Sequence, residues 1–300
     1  MEICTHEILL PNTTIKLFIR REDLIHPFVS GNKYRKLKYN LSQAKQEGQT
    51  TLLTFGGAFS NHIAAVAFTA QENGFQSIGF IRGEELASKV NENPTLQFAA
   101  QCGMRLEFIS REEYRCKDSK LFIDALQQRF GSFFLLPEGG TNDLAVKGCE
   151  EILTSQDSDY DFVCTAVGTG GTISGIIKSA FRHQKVLGFP ALKGDFLQKD
   201  ICKFVENNNW ELINDYHFGG YGKVNAELIQ FLNDFYTQHK IPLDPIYTGK
   251  MVFGVIDLIT NNYFPEHSKV LLIHTGGLQG IKGMNAKLKK KNEPIIEFNV

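Results

Sequence analysis

Apolar runs with no polar alternation, each ending in a glycine-rich turn, constrain this chain more than any other feature. Thr51 to Phe55 runs into Gly56-Gly57-Ala58-Phe59-Ser60-Asn61-His62, and Phe162 to Val167 runs into Gly168-Thr169-Gly170-Gly171-Thr172. Lys269 to His274 contains Val270-Leu271-Leu272-Ile273 and continues into Thr275-Gly276-Gly277. Strands of this kind belong to sheets covered on both faces. A helical pattern follows the first two turns, so the spacing predicts βαβ units and a mostly parallel α/β fold. With 300 residues, 42% of them hydrophobic, the chain has enough apolar surface for one large α/β unit or two domains.

The other elements fit the same alternation. Strands are predicted at Ile15–Ile19, Ser77–Ile81, Met104–Ile109, Phe133–Leu136 and Val186–Phe189. Helices are predicted from Ile63 to about Glu72 and from Asn93-Pro94 to Gly103. Ser110-Arg111-Glu112-Glu113 has capping-box spacing for a helix reaching Phe130. Further helices are predicted at about Leu144–Leu153, at Ala226–Tyr236 and at Met251–Ile259, and the basic cluster 287–291 reads as a solvated helix end.

Net charge is −1, which gives no global field toward nucleic acid or an anionic membrane. The six cysteines have no metal or C-x-x-C spacing, and Cys102, Cys149 and Cys164 sit in apolar segments as core thiols. No apolar run approaches about 18 residues and no basic-then-apolar leader is visible. The expected setting is a cytoplasm, without metal, nucleic acid or membrane partners.

Chemistry collects where ligands bind in open parallel sheets, beyond the carboxyl ends of the strands. Gly31-Asn32 is a turn signal, and Tyr34, Leu37, Leu41 and Ala44 then recur at helical spacing. Lys33 is thus expected at a helix N-terminus, where unpaired N–H groups disfavour an ammonium and favour a usable amine. Lys36 follows one turn later, in reach of an anion. An ordinary solvated basic face is the competing reading of these lysines. The 168–172 turn offers backbone N–H groups and the Thr169 and Thr172 hydroxyls to a phosphate. It lacks the third glycine of a dinucleotide fingerprint and the Walker lysine, so a phosphate monoester suits it better than a nucleotide. Packing is the alternative there. Ser60-Asn61-His62 opens a helix, as a plain cap or as a carboxylate site, and His62 reads as a capping or core histidine.

An amine, a one-phosphate cradle and a carboxylate site together point to pyridoxal phosphate acting on an amino acid. Arg21-Glu22-Asp23-Leu24, Ser30-Gly31-Asn32-Lys33-Tyr34-Arg35-Lys36-Leu37, Ser60-Asn61-His62, Gly168 to Thr172, Tyr247-Thr248-Gly249-Lys250 and His274-Thr275-Gly276-Gly277 occur in this order. From about residue 15 to 285 the chain resembles the 1-aminocyclopropane-1-carboxylate deaminase / D-cysteine desulfhydrase family of tryptophan-synthase-β-like, fold type II enzymes. The resemblance implies two open twisted α/β domains: a larger cofactor domain from 1–45 and 150–300, and a smaller one from 46–149. It implies pyridoxal 5′-phosphate as cofactor, a small amino-acid substrate and a homodimer.

By position, Lys33 would be the Schiff-base lysine and Lys36 a phosphate contact. Asn61 would bond the cofactor's 3′-oxygen, with Ser60 and its neighbours, His62 included, on the substrate carboxylate. Thr169, Gly170, Gly171 and Thr172 would hold the phosphate. Tyr247 would pack on the ring and Tyr221 would complete the substrate pocket, although a core aromatic is the plain reading of either tyrosine. The cyclopropane deaminases are expected to carry glutamate at the position of Thr248 and leucine at that of Thr275. Threonine at both matches the desulfhydrase type, whose weaker electron sink suits β-elimination of a good leaving group. The chain is shorter than the family pattern between Ile81 and Pro94, which touches the pocket rim.

Overall fold

The computed structural model describes residues 3–29, 31–194 and 196–298; Ser30, in the signature stretch, lies outside them. The strands in chain order are β1 (Thr5–Ile8), β2 (Lys16–Arg20), β3 (Thr51–Gly56), β4 (Gln76–Arg82) and β5 (Arg105–Ile109). They continue with β6 (Phe134–Leu136), β7 (Phe162–Val167), β8 (Lys185–Pro190), β9 (Trp210–Leu212) and β10 (Lys269–Ile273). The first helices are α1 (Asn32–Gln46), α2 (Asn61–Glu72), α3 (Pro94–Gln101), α4 (Arg111–Arg115), α5 (Lys120–Phe130) and α6 (Asp143–Glu150). The rest are α7 (Gly171–Ser179), α8 (Phe196–Ile201), α9 (Ala226–His239), α10 (Thr248–Thr260) and α11 (Gly280–Lys290).

Two sheets result, ordered β1-β2-β10-β7-β8-β9 and β5-β4-β3-β6. Every pairing is parallel except β1 with β2. The unalternating apolar runs are explained by where successive residues point. In the larger sheet Val270 and Leu272 face one core cluster with helices α9, α10 and α11, while Leu271 and Ile273 face another with α7 and α8. In the smaller sheet Leu52 and Ile81 face α2 and α3, and Leu53, Phe55 and Phe80 face Tyr114 and Leu126 on the other side. Side chains alternate with period two, so both sets must be apolar.

Register sets the functional edge. Ile273 lies beside Arg20 and Thr165, so β2 and β10 end together and β7 runs two residues further at the same edge. The turns that follow them emerge together, and α1, α6 and α7 stack behind. That stack is close because glycine stands at its crossings. A Cβ on Gly148 would fall 2.0 Å from the Arg35 carbonyl oxygen, and one on Gly175 would fall 2.5 Å from Cys149 Cβ.

The predicted single helix from Ser110 to Phe130 is two helices. The capping box at Ser110 and Glu113 forms, but the first helix stops at Arg115. Ser119 then caps a second one by accepting from the Phe122 N–H. A cap is worth about 1 kcal/mol, enough to favour a break in a short polar stretch. Strands β1 and β9 and helix α8 carry no clear periodicity in the sequence. The shortened rim forms 3-10 turns over Glu84–Glu92. None of the described helices is long and apolar enough to cross a membrane.

Candidate active site

Helix α1 begins at Gly31, whose φ of +59° and ψ of −137° suit glycine. The Gly31 N–H donates to the Glu22 carbonyl oxygen (2.9 Å) and the Asn32 N–H to that of Thr275 (3.3 Å). Arg35 clamps the Glu22 carboxylate with Nε at 2.9 Å and Nη2 at 3.0 Å. Asn32 Nδ2 donates to Thr172 Oγ1 at 2.8 Å, tying the first turn of α1 to the start of α7. Lys33 and Lys36 are thereby aimed inward, and both line a cavity between the strand ends. The solvated basic face is excluded for Lys36, which is 2% exposed.

Lys36 Nζ donates to Gly139 O (3.0 Å), Thr141 Oγ1 (2.9 Å) and, at 3.5 Å, Thr169 Oγ1. Lys33 Nζ has one long contact, 3.4 Å to Gly139 O, and is the less committed amine. Burial, and then the neighbouring Lys36 charge, lower the Lys33 amine from 10.5 to about 7. Burial lowers Lys36 to about 8. A helix dipole is worth about 0.3–1 kcal/mol, less than one pH unit of titration. The helix N-terminus anticipated from the sequence is therefore the smaller cause, and desolvation dominates. Burial, then Lys33 and Lys36, also hold His62 well below 6.5. Its Nε2 lies 2.9 Å from Thr54 Oγ1, whose own proton goes to Leu136 O, so the ring is a neutral core histidine bordering the cavity.

These shifts predict how the cofactor-free chain responds to pH. Unfolding returns both amines to about 10.5, so between about 7 and 10.5 the unfolded chain binds more protons. Stability is therefore lowest below about pH 7 and rises as pH climbs through that window. Thermal melts of the cofactor-free protein should show Tm increasing from pH 7 to 10, with a shallower rise in Lys33→Met.

The glycine turn after β7 lies against these lysines. Gly170, left-handed at φ +83°, caps α7, and the N–H groups at its start face the cavity edge with Thr169 and Thr172. Gly171 lies behind that surface. A Cβ there would fall 2.8 Å from Thr141 Oγ1 and 3.1 Å from Lys36 Nζ, filling the cradle. Ser60 caps α2 by accepting from the Ile63 N–H at 3.3 Å, leaving its own proton to donate. Asn61 passes under Gly277, where a Cβ would fall 2.7 Å from Asn61 Nδ2.

Tyr247 precedes α10 with its ring against Gly168, and Tyr221 meets it at 6.1 Å between ring centroids, edge to face. Burial holds the Tyr247 phenol well above 10, so it acts as a donor, while Tyr221 is 42% exposed where the cavity opens. Lys250 Nζ donates to the carbonyls of His217 (2.8 Å) and Gly220 (3.0 Å) and pins the loop bearing Tyr221.

Of the residues anticipated from sequence, Lys33, Lys36, Ser60, Asn61, His62, Thr169, Gly170, Thr172, Tyr221, Tyr247 and Thr275 converge on this cavity. Thr248 does not. It is fully buried, donating to Asp244 Oδ1 at 2.7 Å and accepting from the Asp244 N–H at 3.1 Å. Asp244 also accepts from the N–H groups of Ile246, Tyr247 and Thr248, so its carboxylate is held at the start of α10. Sequence reasoning overlooked Glu138-Gly139-Gly140-Thr141 and Arg82. The first is the same signal as 168–172, a strand running into a glycine turn. Arg82 carries no local signal.

A buried near-neutral amine beside a second lysine and a glycine turn defines a site for a phosphorylated aldehyde, on an α/β fold whose strands end around it. The chain belongs to the family described as pyridoxal-phosphate dependent enzyme, whose model matches residues 5–276. It falls among that family's 1-aminocyclopropane-1-carboxylate deaminases and D-cysteine desulfhydrases. It is 30% identical to the bifunctional D-cysteine desulfhydrase/1-aminocyclopropane-1-carboxylate deaminase of Arabidopsis thaliana, over 91% of this chain and 74% of that protein. It is 28% identical to the D-cysteine desulfhydrase of Klebsiella pneumoniae subsp. pneumoniae, over 87% of each. A crystal structure of an ACC deaminase homologue superposes with a TM-score of 0.83 at 27% identity, covering 97% of this chain and 94% of that one. The fold is thus fold type II, and the protein is a pyridoxal phosphate enzyme of the deaminase and lyase kind. The residues present fit the cofactor: amine, second cation, hydroxyls and a side-chain-free cradle are contiguous.

Proposed function

We propose that the chain catalyses β-elimination on D-cysteine or a similarly small amino acid, giving pyruvate, ammonia and sulfide. In this reading Lys33, Ser60, Tyr221 and Tyr247 are the catalytic residues. Pyridoxal phosphate supplies, when bound, the electron sink that makes the substrate's Cα proton removable. Lys33 Nζ would hold the cofactor through its aldehyde carbon. The same amine, near-neutral at about 7, is the group placed to take the Cα proton. Lys36 Nζ, Thr169 Oγ1 and the backbone N–H groups of residues 170–172 hold the phosphate. Asn61 and Tyr247, both on the cavity wall, would hold the cofactor ring, and Ser60 would donate to the substrate carboxylate at the start of α2. As the C–S bond breaks, its electron pair leaves on sulfur, and water completes the release of pyruvate and ammonia.

The observation that carries this reading is the weakly engaged Lys33 amine, opening on a cavity whose wall offers the neutral hydroxyl of Thr275. The carboxylate that would favour a charged pyridine ring, and with it a stronger electron sink, is the glutamate expected of the cyclopropane deaminases at position 248, where this chain has threonine. Opening an unactivated cyclopropane asks for that stronger sink. The second reading, 1-aminocyclopropane-1-carboxylate deamination to 2-oxobutyrate and ammonia, is favoured by the Arabidopsis relative, whose name joins both activities. The purified protein with D-cysteine, L-cysteine and the cyclopropane amino acid decides between them. Pyruvate with sulfide from D-cysteine is expected, and 2-oxobutyrate as the main product would overturn the choice. We also propose residues 46–149, which include the four-stranded sheet, as a smaller domain, with residues 1–45 and 150–300 as the larger. A cytoplasmic homodimer completes the reading, and sedimentation at micromolar concentration tests the dimer.

A further inference from the structure

The cavity does not end at Ser60. Arg82, the last residue of β4, lines both this cavity and a neighbouring cleft, and Gly57 and Tyr221 are also shared by the two. Its guanidinium sits 5.5 Å from the centroid of the Tyr114 ring, and Nη2 is 3.8 Å from where a Cβ on Gly57 would stand. Among the described residues it has no carboxylate within ion-pair distance. The cleft adds two more cations. Arg111 is paired with Glu85, whereas Arg115 has no carboxylate partner among the described residues. The acid on the cavity wall, Glu138, is 3.3 Å from Lys117 Nζ, a cation it shares with Asp118 at 3.1 Å. A guanidinium with no ion-pair partner among the described residues thus stands at the junction over the Tyr114 ring, beyond the α2 N-terminus where one carboxylate is already provided for.

We propose that Arg82 is a specificity-determining residue and that the preferred substrates are β-substituted amino acids whose side chain carries a second anionic group, placed against Arg82 beside Gly57. This rests on the β-elimination reading above. The planar fork of arginine suits a carboxylate or another oxyanion, and stacking on Tyr114 holds the fork in place at little entropic cost.

S-carboxymethylcysteine and S-carbamoylmethylcysteine, each as D and L forms, differ in charge but hardly in shape. Elimination from either breaks the Cβ–S bond and consumes one water, releasing the thiol, pyruvate and ammonia. The holoenzyme should show a kcat/KM about tenfold higher for the carboxymethyl compound, carried by KM. Calorimetry should give a matching ratio of dissociation constants. The preference should shrink as salt rises from about 0.05 to about 0.5 M. Arg82→Ala should bring the ratio near one, and Arg82→Lys should leave it intermediate. Equal binding of the two compounds by the unaltered protein would overturn the inference. So would an equal loss for both in Arg82→Ala, which would place Arg82 on the α-carboxylate they share. Failure of the reaction reading looks different: no pyruvate from either compound or from D-cysteine, while the calorimetric ratio still reports on Arg82.

Discussion

Lys33→Ala is expected to abolish the covalent link between chain and cofactor and to lower turnover by about a thousandfold or more, since in the proposed mechanism it removes both the attachment point and the base. Borohydride reduction of the unaltered holoenzyme should fix the cofactor's mass on the peptide that contains Lys33, and the variant should carry none. Lys33, Lys36 and Lys250 have amines lowered to about 7 or 8, and their contacts separate their roles. Lys250, lowered to about 8 by burial, gives its protons to two backbone carbonyls. Lys36 engages one carbonyl and two hydroxyls. Lys33 has only its 3.4 Å contact and sits lowest, at about 7. Reduced cofactor recovered on Lys36 or Lys250 would overturn the assignment.

The second large effect is expected at Gly31. A Cβ there would fall 1.9 Å from the Thr275 carbonyl oxygen and 2.2 Å from its carbon, at a φ of +59°. Left-handed backbone costs a non-glycine residue about 1–2 kcal/mol, and forced overpacking against rigid backbone adds about 1–3 kcal/mol. Gly31→Ala should therefore cost about 3 kcal/mol in urea unfolding and shift α1 away from β10. Cofactor affinity should fall with it, because Lys33 is the second residue of that helix. Gly48→Ala is the control. It has nearly the same φ, +65°, but nothing within 4 Å of the added carbon, so about 1 kcal/mol is expected. Equal losses in the two variants would mean that the close approach to Thr275 carries no weight.

Much of the site was readable in the chain because its parts are local. Lys33 and Lys36 share one helical face, Ser60 caps the helix it precedes, and residues 168–172 form one turn. Thr248 shows the limit of such reading. Its neighbours Tyr247 and Gly249 said nothing of Asp244, four residues back, whose carboxylate takes up the threonine hydroxyl. The continuous helix expected through residues 116–119 failed for a similar reason, a serine cap competing with weak periodicity.

The alternation of strand and helix, the covered parallel sheets and the short turns at strand ends follow from the sequence alone, since periodicity and turn chemistry act over a few residues. Tertiary structure alone decided which distant groups meet. It set Gly139 and Thr141 against Lys36, Thr275 against Gly31, and Arg82 across from Gly57. It also made the Lys33 amine near-neutral. Desolvation is a property of everything packed around a group, and no stretch of chain carries it by itself.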